Sequence, residues 1–108
     1  MVEGDDAIRQ SLLMLLSTSP GERVMRPTYG CDLRRLIFAP NDGTTAGLAM
    51  HYVTRAIRFW EPRVTLIDVD ATPSDEDEGR LDIRVVYRVR RSGQVHELLY
   101  AFGLGGTS

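Results

Sequence analysis

The chain contains no lysine, one cysteine and two histidines, and only 7% of its 108 residues are aromatic. Each shortage removes a class of function. A single cysteine, Cys31, excludes an internal disulfide and any cysteine-based zinc site. His51 and His96 lie far apart and share no ligand spacing with Cys31, so no metal site is expected. No cofactor motif is present either: Gly103-Leu104-Gly105-Gly106 lacks the Lys-Ser/Thr and following helix of a phosphate loop. The longest apolar run, Leu12 to Leu16, is too short to span a bilayer, which argues against direct membrane insertion. The acidic start, MVEGDD, does not resemble a secretory leader, so a cytoplasmic protein is expected. All 13 basic residues are arginine, yet the net charge is −2. That balance excludes the basic excess of a nucleic-acid binder.

What remains is a chain of one-domain size, 43% hydrophobic and 26% charged. Ile8, Leu12, Leu15 and Leu16 mark one face of a helix over Asp6–Ser17, with Asp5 and Asp6 at its start. Ser17 to Gly21 stop it. Asp32 is placed as the cap of a short helix through Leu36 and Ile37. Ala46, Ala49, Met50, Val53, Ile57 and Trp60 mark a second long helix, capped by Thr44 or Thr45 and ended by Pro62. Leu81, Ile83, Val85, Tyr87 and Val89 alternate with mostly polar residues, the pattern of a half-buried strand. Val64–Ala71 and Val95–Phe102 flank it as partners.

These elements predict an α+β domain over residues 1–102, with helices packed on a three-stranded antiparallel sheet. There is room for a short extra strand near Val24, and residues 103–108 read as a flexible tail. The expected register pairs Ala71 with Leu81 and Tyr87 with Leu98, around a two-residue turn at Ser92-Gly93. It sets Ile67 on the core face and Leu66 on the reverse face. It also sets Asp70 opposite Asp82, the one unfavourable pair. With the middle strand central, both outer strands have free edges that invite another chain. Coverage by Arg23–Thr28 and the helices is an equally weighted alternative.

Residues 19–33, SPGERVMRPTYGCDL, followed by Phe38, and then Glu61-Pro62-Arg63 after an apolar helix, resemble the signatures of the GPW family. These are small baseplate-wedge proteins of contractile phage tails, with relatives in type VI secretion and extracellular injection devices. The resemblance spans roughly residues 8–102. It implies a non-enzymatic part of a phage-tail-like particle, assembled in the cytoplasm. It also implies a link from the wedge to the sheath, nucleating sheath assembly by strand addition. Wedge proteins and the contractile sheath protein are the implied partners, with inner-tube or hub proteins as further contacts. Glu61, Pro62 and Arg63 carry over as the wedge contact. Gly21, Glu22, Arg23, Arg26, Pro27 and Gly30 carry over as residues shaping a turn. Val95, Glu97, Leu99 and Ala101 are the expected sheath-facing edge.

The competing reading is a lysozyme-like peptidoglycan hydrolase using Glu61, with Glu22 or Asp32 as the second carboxylate. Because Glu61 and Arg63 are separated by a proline, each is expected to seek a different partner, and Arg63→Ala is expected to leave the domain folded.

Overall fold

The structure, a computed structural model, describes residues 4–22, 25 and 28–104. Arg23, Val24, Arg26 and Pro27 lie outside the described residues, and with them the expected extra strand. Helix α1 spans Asp5–Ser17, a 3-10 turn spans Asp32–Leu36, and helix α2 spans Gly43–Trp60. Strands β1 (Val64–Pro73), β2 (Arg80–Val89) and β3 (Val95–Gly103) form an antiparallel sheet in the order β1-β2-β3.

The periodic residues form the core. Leu12 and Leu15 of α1 and Val53 and Ile57 of α2 are buried with Leu81, Ile83, Val85, Tyr87 and Leu98 of the sheet. The caps differ from expectation. Asp42, not a threonine, caps α2 by accepting from the Thr45 N–H at 3.1 Å. Asp32 lies inside the 3-10 turn, and its carboxylate instead holds Arg55 at 2.5 Å. The N-cap of α1 is Gly4, and the Asp5 carboxylate reaches across to the β2–β3 hairpin. His96 Nε2 lies 2.6 Å from it, and the Ser92 hydroxyl donates to it at 3.1 Å. The hydrogen bond to His96 holds the Asp5 carboxyl below its ordinary value.

From Asp68 onward in β1, and throughout the β2–β3 pairing, the register is offset by two residues from that expected. Ala71 faces Ile83, Tyr87 faces His96 and Val85 faces Leu98. The hairpin carries four loop residues, 90–93, closed by the Val89 N–H donating to the Gln94 carbonyl at 2.9 Å. There, an even offset leaves the side chains on their expected faces. It also places Asp70 opposite Arg84, which removes the one unfavourable pair. A β-bulge between Leu66 and Asp68 is a larger correction. Before it, Val64 and Leu66 face the core opposite Val89 and Tyr87. The extra residue, Ile67, is turned outward and is 48% exposed.

Of the expected tail, residues 105–108 lie outside the described residues. Gly103 belongs to β3, and Leu104 is buried, its N–H donating to the Gly79 carbonyl at 2.6 Å.

Candidate interaction surfaces

The Glu61-Pro62-Arg63 corner turns α2 into β1. The Glu61 N–H closes the last turn of α2 on the Ile57 carbonyl at 2.8 Å, and the Arg63 carbonyl accepts from the Arg90 N–H at 3.0 Å. Pro62 between them prevents the helix from continuing. The Glu61 side chain folds inward and is buried, while Arg63 and Pro62 stay exposed. The two charged residues find each other rather than separate partners. Arg63 grips the carboxylate with both arms, Nε to Oε2 at 2.6 Å and Nη2 to Oε1 at 2.8 Å.

Burial pushes the Glu61 carboxyl upward. Hydrogen bonds from Arg63 and from Ser11 of α1 outweigh that effect and hold it below its ordinary value near 4.5. The unfolded chain therefore binds this proton more readily. The stabilisation is fully present above about pH 4.5 and is lost as pH falls through the folded-state value. Glu61→Gln should thus cost about 1–2 kcal/mol at pH 7, where it removes a charge-assisted pair, and much less at pH 3. Urea unfolding at the two pH values checks this; a cost that does not change with pH would contradict it.

The second surface is the outer edge of β3. The bonds from Val89 to Gln94 and from Leu104 to Gly79 show that even-numbered residues of this stretch point their backbone groups at β2. Alternate residues of a strand point the opposite way. Val95, Glu97, Leu99 and Ala101 therefore direct their N–H and C=O groups away from the sheet. Their side chains lie on the exposed face, Val95 at 51% and Leu99 at 65% exposure. No strand pairs with this edge among the described residues. One of its groups has a side-chain partner: Arg9 of α1 donates from Nη1 to the Glu97 carbonyl at 3.1 Å. On the open face, Arg84 is shared between the carboxylates of Glu97 and Asp68.

The two outer edges are not equivalent. β1 is broken by its bulge at Ile67 and ends on Pro73, which has no N–H to donate. β3 carries neither interruption.

The remaining candidates sit elsewhere. Glu22 approaches Arg34 at 3.8 Å on the surface, and Gly21 occupies a turn with φ +96°. Gly30 packs directly beneath the end of α1, where the Cys31 N–H donates to the Thr18 carbonyl at 2.8 Å. Burial pushes the Cys31 thiol up to about 11, so it is a packing group rather than a nucleophile. Among the described residues, no cluster of three or more His, Cys, Asp or Glu side chains could hold a metal, and no helix is long and apolar enough to cross a membrane.

Two features escaped the sequence reading. Arg9 gives no signal because its partner is a backbone carbonyl far along the chain. The bulge does leave one: inward residues 64 and 66 are even-numbered, whereas 69 and 71 are odd.

Known proteins resemble this chain over most of its length. It is 32% identical to baseplate wedge protein gp25 of Enterobacteria phage T4 over 71 residues, which is 66% of this chain. That match spans only about half the phage protein, 54% of its length. A crystal structure from Geobacter sulfurreducens, provisionally named a tail lysozyme, superposes with a TM-score of 0.88 at 39% identity, covering 100% of this chain and 99% of the other. A chain of the anti-feeding prophage baseplate superposes with a TM-score of 0.77 at 30% identity, covering 82% and 71%. The sequence matches the family described as baseplate wedge protein gp25 over residues 2–94, and the chain belongs to that family.

Proposed function

We propose that this protein is a non-enzymatic wedge subunit of a contractile baseplate, and that it starts sheath assembly by accepting a strand from a sheath subunit along β3. The observation that carries this reading is the outward-directed backbone of Val95, Glu97, Leu99 and Ala101 on an uninterrupted edge. Main-chain groups of this kind add a neighbouring strand at little cost in reorganisation. The choice of β3 over β1 follows from the bulge and from Pro73. The Glu61–Arg63 corner contacts the wedge core, with the exposed face of Arg63 and Pro62 turned to the partner.

Hydrolysis has one observation in its favour, the provisional name of the Geobacter protein. The site chemistry runs against it. A glycosidase acid needs a raised pKa, and Glu61 is held low by a bidentate arginine. The proposed second carboxylates are also engaged, Glu22 with Arg34 and Asp32 with Arg55 and Arg35.

The test is assembly with and without the protein. Particles built without it should contain tube and baseplate parts but no extended sheath, and adding the chain back should restore sheath. Sheath of normal length without it would overturn the proposal. Release of sugar fragments from purified cell wall, lost in Glu61→Gln, would decide for the hydrolase.

A further inference from the structure

The side of the domain facing away from β3 carries a surface that the strand-addition reading does not use. Phe59, at 70% exposure, stands on the outer face of α2, and the bulge brings Ile67 out beside the same helix at 48% exposure. Arg58 joins them. It borders a groove of about 420 Å3 with His51, Arg55 and Phe59, and a second of about 180 Å3 with Leu66 and Ile67.

The charge of this surface is unbalanced. Arg58 has no ion-pair or hydrogen-bond partner among the described residues, although Arg55 is neutralised by Asp32 at 2.5 Å. Asp68, at the rim of the smaller groove, is turned to Arg84 at 3.4 Å. An exposed, unpaired arginine between two exposed apolar side chains matches a carboxylate flanked by apolar groups.

The backbone decides the form of that partner. The bulge interrupts the β1 edge beside Ile67, so a docking chain cannot extend the sheet there. His51, Arg55, Arg58 and Phe59 lie three or four residues apart along one helix face, the spacing into which the ridges of another helix pack.

We infer that the groove between α2 and the β1 bulge, with Arg58 between Phe59 and Ile67, docks an acidic amphipathic helix of a neighbouring baseplate protein. The inference rests on the wedge reading and adds a contact separate from both β3 and the Glu61–Arg63 corner. Ile67 is then an anchor that the bulge places outside the core, rather than a residue lost from it.

Incorporation into assembled baseplates tests it, with the full chain. Arg58→Glu and Phe59→Ser should each lower incorporation at least about tenfold, the loss expected of a central contact residue. Glu76→Arg, a charge reversal at an exposed residue of the β1–β2 hairpin, should leave incorporation unchanged. Thermal melting of each purified variant separates a docking defect from misfolding. In parallel, a photo-crosslinking side chain introduced by Phe59→p-benzoylphenylalanine is activated in the assembled particle. It should capture a neighbour's segment carrying Asp or Glu at helical spacing beside apolar residues. Normal incorporation of a folded Arg58→Glu variant overturns this surface alone. So does a crosslink into a basic or extended segment, or none at all. Failure of the wild-type chain to enter baseplates overturns the wedge reading itself.

Discussion

Leu99→Pro should sharply reduce sheath initiation while leaving the isolated domain folded. Leu99 lies mid-strand on β3, and its N–H points away from β2, so proline removes no ladder bond within the domain. The ring also suits the extended backbone of its neighbour Leu98. An incoming strand meets a different surface: it loses a donor at the centre of its pairing and meets the ring where its own carbonyl must approach. A lost bond with an unsatisfied buried partner costs about 1–3 kcal/mol, which predicts a fall in initiation of roughly fivefold to 150-fold. Sheath counted by electron microscopy on particles carrying the variant checks the first half. A melting temperature close to that of the wild type checks the second. Unimpaired sheath on a folded Leu99→Pro protein would remove β3 as the acceptor.

Gly30→Ala should produce the largest loss of stability of any glycine-to-alanine change among the described residues. The backbone at Gly30 has φ +137°, and a Cβ there would stand 2.5 Å from the Thr18 carbonyl and 2.9 Å from the Pro20 nitrogen. Both atoms belong to the main chain, so no side-chain rotation can relieve the overlap. The segment would have to lift off the end of α1, breaking the 2.8 Å bond from Cys31 to Thr18 and disturbing the buried Cys31 itself. Strain and repacking together should cost about 3 kcal/mol or more. For a domain of this size that lowers Tm by roughly 15 °C. Gly21→Ala is the matched control. It shares a positive φ, +96°, but its Cβ would meet nothing within 4 Å. Its cost should be near the purely conformational value of about 1 kcal/mol. Equal melting temperatures for the two variants would contradict this account of Gly30.

Much of the fold was legible because hydrophobic periodicity reports which face is buried, and burial is what selects the elements. Leu12, Val53, Ile83 and Val85 were all assigned to the core and are all buried there. Register was less legible. It depends on loop length, and Ser92-Gly93 reads equally as a two-residue turn or as the second half of the four-residue loop observed. Beyond the bulge the error was an even number of residues, so the faces survived it there. The bulge was missed because Leu66 and Ile67 are both apolar and either could have pointed inward. Only the change from even to odd inward positions between Leu66 and Val69 discriminates them.

The Glu61–Arg63 corner was half legible. Its residue types were visible, but their mutual pairing depends on a turn that brings positions two apart face to face. That pairing changes what Arg63→Ala would report. Without the Arg63 guanidinium the buried Glu61 carboxylate keeps the hydroxyl of Ser11 and the backbone N–H of residue 63 but no cation, so the variant should lose stability as well as any contact with the wedge. A loss of assembly in that variant would therefore not by itself locate an interface. Leu99→Pro and Arg58→Glu do not share this difficulty, because neither side chain holds a buried group.

The central claim is that β3 ends the sheet only until a sheath subunit docks. A cryo-EM structure of the assembled particle, resolved to main-chain hydrogen bonds at this subunit, tests it most directly. The account predicts a strand from a sheath subunit beside β3, bonded to the N–H and C=O groups of Val95, Glu97, Leu99 and Ala101, with the Arg9 bond to the Glu97 carbonyl exchanged or shared. A β3 edge that is bare in the particle, or covered by this chain's own residues, would contradict it.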